Sequence, residues 1–307
     1  MRELVVISGK GGTGKTSLVA SFAVLAEDVV VADCDVDAAD LHLVLAPTMR
    51  RQEDFSGGSQ AEIDAERCIA CGECEELCRF GAISLNGAAS ELVQKTYWVD
   101  PIACEGCGVC AWFCEQEAIR FGPVVNGRWF VSHTRCGPMV HARLEPGGEN
   151  SGKLVSVVRS EAKRIADEDG HDLVLVDGSP GIGCPVIASI TGADLVLAVT
   201  EPTQSGLHDL GRVAELTAHF NVTTLAVINK WDLNPEVSRQ IETEAPRRGV
   251  QVVGRVRYDD AITKAQVRGL SVVEHADGPV VDDIYRTWEG ITKALREMEQ
   301  GRELRVL

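Results

Sequence analysis

The sequence predicts an α/β protein built on a doubly wound parallel sheet, with a smaller α+β domain inserted into it. Three observations carry that prediction. Short apolar runs alternate with helical patterns along most of the chain, the order that builds parallel strands with helices on both faces. The first run, Leu4 to Ile7, leads at once into Gly9-Lys10-Gly11-Gly12-Thr13-Gly14-Lys15-Thr16 and then a helical pattern from Ser17 to Ala26. Eight of the 11 cysteines fall in two matched runs between residues 68 and 114, where the apolar alternation lapses.

The spacing G-x-x-x-x-G-K-T between a strand and a helix is that of a phosphate-binding loop. Its backbone N–H groups turn inward on a phosphate chain, Lys15 meets the β and γ oxygens, and the Thr16 hydroxyl faces Mg²⁺. A side chain at Gly11, Gly12 or Gly14 would push the backbone away from the phosphates. The nucleotide-binding candidates are therefore Gly9, Lys10, Gly11, Gly12, Thr13, Gly14, Lys15, Thr16 and Ser17.

With 307 residues, 45% of them hydrophobic, the chain can form a full core and more than one domain. It has no run of roughly eighteen apolar residues, and the N-terminus enters a strand directly, so a protein without signal peptide or stable membrane insertion is expected. A formal charge of -16 argues against nucleic acid as a partner, because phosphate-backbone affinity needs clustered Lys and Arg. Cysteines paired in short spacings, with nothing pointing to secretion, read as metal chemistry in a reducing, cytoplasmic setting.

After the first helix, Val29 to Ala32 forms a second buried strand that ends in Asp33-Cys34-Asp35-Val36-Asp37-Ala38-Ala39-Asp40. Carboxylates at the C-terminal end of a parallel strand lie on the ligand-binding rim of such a sheet. Asp33 and Asp37 are secondary candidates, Cys34 reads as a core thiol, and Asp40 as the cap of the helix that follows. Arg50 to about Gln60 reads as a linker. The cysteine runs are Cys68, Cys71, Cys74, Cys78 and Cys104, Cys107, Cys110, Cys114, each C-x₂-C-x₂-C-x₃-C, and Phe80 to Ile83 after the first answers Glu117 to Phe121 after the second. Four-cysteine sets also bind zinc, although zinc ribbons space their pairs differently. The expected domains are 1–58, 59–125 and 126–307, the middle one inserted.

The return segment holds a possible edge strand at Trp129 to Val131, a turn at Pro146-Gly147-Gly148, and a helix from Leu154 to Glu168 capped by Ser151. His133 and His141 are isolated, as surface or satisfied core histidines are. Leu173 to Val176 then delivers Asp177 to a strand tip, the pattern that holds the water shell of Mg²⁺. Strands follow at 193–200 and 224–229, and helices at 205–220, 235–245 and 260–268. Asn229-Lys230-Trp231-Asp232 matches N-K-x-D, the guanine-reading motif of GTPases, and Arg257-Tyr258-Asp259 is placed to lie over a base. The stretch from Asp282 to Gln300 and the tail to Leu307 mix Arg with Glu and read as a solvated surface helix.

Lys10, the second lysine of K-G-G-T-G-K-T, narrows the field: the loop resembles the deviant Walker A motif of the MinD/ParA/Mrp and nitrogenase iron-protein group, the SIMIBI type of P-loop ATPase. That resemblance implies an ATP-sandwich homodimer in which Lys10 reaches the nucleotide of the facing subunit. It implies that Asp35 polarises the attacking water beside Mg²⁺, within switch I. Thr16, Asp35 and Asp177 become the Mg²⁺ set, and Lys10, Lys15 and Asp35 the catalytic set. Ser179-Pro180-Gly181-Ile182-Gly183 resembles switch II, Glu201-Pro202-Thr203-Gln204 the T-E-P-T segment of Mrp-like proteins, and Asn229 the asparagine that reads the adenine edge; the deviant Walker A together with a ferredoxin insertion fits the ATPase branch and favours ATP over GTP. The family commonly has proline where Arg257 stands, which leaves the base contact open.

The cysteine runs are similar to those of bacterial two-cluster ferredoxins. That likeness implies one [4Fe-4S] cluster on Cys68, Cys71, Cys74 and Cys114, and another on Cys104, Cys107, Cys110 and Cys78. Arg79 and Glu115 stand where ferredoxins have proline. Cys184 lies where the nitrogenase iron protein keeps a bridging cysteine, so Cys184 and Cys136 from two subunits form a candidate third site. The implied activity is Mg-ATP binding and hydrolysis coupled to electron transfer to a partner protein. Alternatives are an iron–sulfur cluster carrier, a GTP-using variant, and an electron carrier with a non-catalytic nucleotide domain. The C-x-x-C of cluster-carrier Mrp relatives is missing from the C-terminal part.

Overall fold

The computed structural model describes residues 1–145 and 151–306. The chain divides into two compact units. One comprises Met1–Gln52, Trp129–Arg143 and Ser151–Leu307, and the other Glu53–Arg128 with the described part of Leu144–Asn150. The turn expected at Pro146-Gly147-Gly148 lies outside the described residues.

The larger unit begins with β1 (Arg2–Ser8), α1 (Lys15–Leu25), β2 (Val29–Asp33), α2 (Leu41–Leu45) and β3 (Thr48–Phe55). The smaller unit then supplies β4 (Gly58–Ile63), α3 (Glu73–Leu77), β5 (Ile83–Ser84), β6 (Trp98–Val99), α4 (Val109–Trp112) and β7 (Ile119–Val124). The return runs through β8 (Gly127–Thr134), β9 (Gly137–Leu144), α5 (Ser151–Asp169), β10 (Leu173–Pro180), α6 (Cys184–Ile190), β11 (Leu195–Thr200) and α7 (Gln204–His219). The chain closes with β12 (Thr223–Asn229), α8 (Pro235–Glu244), β13 (Gln251–Val256), α9 (Asp260–Val267), α10 (Val272–His275) and α11 (Pro279–Val306).

Nine strands form one sheet in the order β13-β12-β11-β1-β10-β2-β9-β8-β3, parallel from β13 through β9. β1, β2, β10, β11 and β12 are continuous Val/Ile/Leu runs because helices cover both their faces. β1 and β10 carry the loops at 9–14 and 181–183 to one rim, where β2 also ends, so the glycine-rich loop and the acidic segment meet there.

Several expectations change. Residues 50–60 are no linker: they form most of β3 and the start of β4. β3 is exposed along all but Phe55 and sits at the sheet edge, where a strand needs no apolar face; Arg51 pairs with Glu161 and lies over the Trp129 ring at 4.9 Å. Trp129 to Val131 belongs to β8, an interior strand between β9 and β3 rather than an edge. Ser151 is the first residue of α5 rather than its cap, and Asp40 holds the cap position of α2 without a side-chain hydrogen bond.

The C-terminal helix is not merely solvated. Val280, Val281, Ile284, Trp288, Ile291 and Leu295 of α11 are buried, and Trp288 stacks on Phe22 of α1 with ring centroids 5.3 Å apart. α11 also lies close on β13, because a Cβ at Gly254 would come within 2.1 Å of the Thr287 hydroxyl. Arg286, Glu289, Arg296, Glu297 and Glu299 face solvent while a stripe of apolar residues meets the sheet.

The smaller unit has two ribbons, β4 with β7 and β5 with β6, both antiparallel. Its halves repeat in hydrogen bonding as well as sequence. Cys68 N–H donates to Asp64 O at 3.1 Å and Cys104 N–H to Asp100 O at 3.0 Å. Asp64 N–H donates to Ala118 O and Asp100 N–H to Ala82 O, at 2.8 and 2.7 Å, so each half closes on the other. Gly72 and Gly108, at φ 89° and 74°, start the two short helices where only glycine is at ease. The buried apolar core here is small: Ala61, Ile83, Tyr97 and Val99.

Candidate functional site

The glycine-rich loop folds around its lysine. Lys15 is buried; its ammonium pairs with Asp177 and lies 3.4 Å from Asp35. Burial lowers the Lys15 pKa, but the charges of Asp177 and Asp35 outweigh that and raise it, so the side chain stays a cation. Gly14, at φ 85°, has no room for a Cβ, which would stand 2.3 Å from Asn229 Nδ2. Gly11, Gly12, Thr13, Gly14, Lys15, Thr16 and Ser17 line a cavity of about 430 Å³, shared with Asp35, Asp40 and Asn229. Gly9 and Lys10 do not line it. Gly9 is needed for packing instead, since a Cβ there would meet Asp209 at 2.3 Å.

Beside Lys15, Asp177 of β10 and Asp33 of β2 sit side by side in register, 1% and 0% exposed. Burial first, and then the neighbouring Asp177 charge, pushes the Asp33 carboxyl well above the usual range. Asp35 is raised too, by burial against the opposing pull of Lys15. Among the described residues, the buried side-chain oxygens without a hydrogen-bond partner are Thr13 Oγ1, Asp33 Oδ2 and Asp177 Oδ2. Unpaired buried carboxylate oxygens are costly. Three acids and two hydroxyls at a phosphate loop therefore suit a hard, oxygen-seeking cation such as Mg²⁺, together with a phosphate chain for Lys15.

Of the residues expected near the base, Asn229, Tyr258 and Asp259 line the cavity, whereas Asp232 and Arg257 do not. Asn229 Nδ2 donates to Thr13 O at 2.7 Å, and its Oδ1 accepts from Lys230 N–H at 3.1 Å, so the side chain props the loop. Asp232 Oδ1 accepts from Tyr258 N–H at 2.7 Å and does not line the cavity. Arg257 is held by Asp283 at 2.6 and 3.1 Å. The cavity is also lined by Tyr258 and Asp259, as expected, and by Ile262, Thr263 and Gln266 of α9. Sequence reasoning missed Ile262, Thr263 and Gln266, since a helix face carries no motif. It also missed the ties of Glu201 to Lys10, at 3.3 Å, and to Lys230, at 2.5 Å.

In the smaller unit the cysteines sort into two hollows. One is lined by Cys68, Cys71, Cys74 and Cys114, with Cys110 also at its wall; the other by Cys104, Cys107, Cys110 and Cys78. The fourth cysteine of each run thus crosses to the other run's three. Ala82 N–H donates to Cys78 Sγ and Ala118 N–H to Cys114 Sγ, both at 3.4 Å. Burial pushes the Cys74 thiol up to about 12, with Cys68, Cys71 and Cys110 adding to it. Among the described residues, no three His, Cys, Asp or Glu side chains converge as the site of a single metal ion.

Cys136 and Cys184 do not form a common site. Cys136 sits in the β8–β9 turn beside Gly137, where a Cβ would stand 2.5 Å from Val29 O at the start of β2. Cys184 follows the opposite end of β10, and β2 and β10 run parallel in register, so the sheet separates the two thiols. Cys34 is fully buried. His141, half-buried, stacks on Phe130 and hydrogen-bonds the Ser132 hydroxyl at 2.9 Å, while His133 is exposed. No helix among the described residues is long and apolar enough to cross a membrane.

Comparison with known proteins bears on the family and on the fold. The model of the CobQ/CobB/MinD/ParA nucleotide binding domain matches residues 4–272. The uncharacterized protein MJ0578 of Methanocaldococcus jannaschii is 35% identical over 236 residues, 76% of this chain and 79% of its own. The cell division ATPase MinD of Pyrococcus furiosus superposes with a TM-score of 0.55 at 18% identity, covering 95% of this chain and 99% of that one. The septum site-determining protein MinD of Pyrococcus horikoshii, complexed with Mg-ADP, gives 0.56 at 15% identity, covering 97% and 98%. At such identities the solved structures speak for the fold alone. The family model spans most of the chain and includes the loop, both acidic strand ends and the Asn229 strand: the protein belongs to the CobQ/CobB/MinD/ParA nucleotide-binding domain family, whose MinD and ParA members are P-loop ATPases.

Proposed function

We propose that this chain binds and hydrolyses Mg-ATP as a homodimer, and couples its nucleotide state to electron transfer from two [4Fe-4S] clusters to a partner protein. The observation that carries the reading is the sorting of eight thiols into two hollows with the fourth cysteine of each run exchanged, the ligand pattern of two-cluster ferredoxins. Thiolates around a cubane stand farther apart than the donors of a single ion, so these sets suit a cluster although none closes on one ion. On this reading residues 59–125 form an inserted ferredoxin-like domain in a cytoplasmic protein. The clusters would supply one-electron chemistry. The chain's own part is to hold them and to direct backbone N–H groups, such as those of Ala82 and Ala118, at the ligand sulfurs.

At the nucleotide site, Lys15 grips the β and γ phosphates, Thr16, Asp35 and Asp177 hold Mg²⁺ and its waters, and Asp35 orients the attacking water. Mg²⁺ supplies charge neutralisation on the phosphates. Lys15 rests on Asp177 and Asp35, so nucleotide binding exchanges these contacts and frees Asp35. The segment that then moves leads in chain order through α2 and β3 to the cysteines. Asp232, held away from the cavity by Tyr258 N–H, supports ATP over a guanine-reading role.

Iron and sulfide counts on the anaerobically reconstituted full chain test the reading, with about eight of each expected. The reduction potential should then differ between ATP and ADP, and nucleotide affinity should change reciprocally with oxidation state. Iron-free, colourless protein, or identical potentials, would overturn it. A cluster carrier is the second reading, favoured by the exposure of Cys71 and Cys107, and predicts intact transfer to an apo-ferredoxin.

A further inference from the structure

We propose that Glu201 is a positioning residue that latches Lys10 within its own chain until the facing subunit's nucleotide competes for it. The proposal rests on the reading that Lys10 acts across a dimer.

The geometry is specific to this carboxylate. Its two oxygens are divided between two lysines: Oε2 lies 3.3 Å from Lys10 Nζ and Oε1 lies 2.5 Å from Lys230 Nζ. The Lys10 ammonium also donates to the Ser205 hydroxyl at 3.3 Å. Lys230 in turn donates to Gly12 O at 3.1 Å, so one carboxylate ties the signature lysine and the loop backbone together. Lys230 adopts φ 56°, a left-handed conformation costly for a residue with a side chain, and its ammonium arrives between Gly12 and Glu201 from that conformation.

The latch is held from behind. Thr203 N–H donates to Glu201 O at 2.8 Å, the Thr203 hydroxyl accepts from Gly206 N–H at 2.9 Å, and a Cβ on Gly206 would collide with Glu201 O at 2.3 Å. α7 therefore starts directly against the backbone of Glu201 and holds that backbone in place. The Glu201 side chain is 15% exposed and that of Lys10 36%. Burial opposes ionisation of Glu201, but Lys230 and Lys10 win and hold it below the ordinary carboxylate range. A lysine already neutralised by its own chain is a weaker donor to a phosphate on another. An ion pair this exposed gives way to a triphosphate, which carries more charge.

Glu201→Gln keeps the shape and removes the charge, and two readouts test it. Limiting acylation of the full chain by an amine-reactive ester, mapped by peptide mass, should label Lys10 several-fold faster in E201Q than in wild type, with distant Lys293 as internal control. In sedimentation with Mg-ATP, the protein concentration for half-association should fall about threefold to tenfold. Unchanged Lys10 labelling overturns the latch. Faster labelling with association unchanged or weakened confines Glu201 to a contact without effect on dimer formation, and the proposal also fails. Should wild type not associate in Mg-ATP while Lys10 labelling rises in E201Q, the pairing of Lys10 within its chain stands, but the two-chain reading falls and with it the release by a facing nucleotide.

Discussion

The two units solve the problem of staying folded by different means. The larger buries a continuous core, with Leu4, Leu18, Phe22, Leu175, Leu195 and Leu197 almost wholly enclosed. The smaller offers Ala61, Ile83, Tyr97 and Val99, with cysteines filling the space that apolar side chains would otherwise take. Small units with little core depend on cross-links or metal. The nucleotide unit is thus stabilised by burial of a continuous apolar core, whereas the cysteine unit fills much of its interior with thiols and, on the proposed reading, depends on what they bind.

The largest test of that contrast removes the ligands. In the double variant Cys74→Ser/Cys110→Ser, amides of β4, β5 and β6 should exchange hydrogen at least about a hundredfold faster while those of β1 and β10 keep their protection. Equal protection in both forms would break the comparison. Next in size, Lys15→Ala should weaken binding of a fluorescent ATP analogue by about a hundredfold, since the charge that meets the phosphates is lost, yet leave iron content unchanged. Coupled loss of iron would show the units to be interdependent in folding.

Trp288→Ala sharpens the other side. Removing the ring that stacks on Phe22 should cost the larger unit about 3–5 kcal/mol in urea unfolding, and the cysteine unit nothing. The smallest effect concerns His141, whose pKa burial and the charge of His42 lower to about 4. Between about pH 4 and the ordinary value near 6.5 the unfolded chain takes up the proton first, so stability rises with pH through that window and is complete above it. His141→Phe should remove this contribution, seen as a smaller rise of the urea midpoint from pH 5 to pH 7 than in wild type.

Much of the site was legible in the sequence because its parts are local. A strand, a glycine-rich turn and a helix bring Lys15 and Thr16 to one place wherever the sheet is drawn, and Asp177 ends an apolar run unmistakably. β3 was read as a linker because a polar edge strand leaves no periodic trace, and β13 was overlooked because Gly254 and Arg255 interrupt its apolar run. The reading of α11 failed differently: its charges dominate the composition, while the stripe facing the sheet is visible only once its partner is known. At the site, only the tertiary structure shows that the Asn229 amide also braces the loop, through Thr13 and Lys230.

By itself the sequence determined the chemistry on offer: a phosphate loop, acidic strand ends, and eight cysteines at metal-ligating spacing. Spacing along a chain constrains only what lies within a turn or two of each residue. The tertiary structure decided which residues across long stretches of chain meet. It put Cys114 with the first three cysteines, Cys136 and Cys184 at opposite ends of a sheet, and one carboxylate between Lys10 and Lys230. Those meetings depend on strand order and helix packing, which are set by the burial of the whole core and not by any local run of residues.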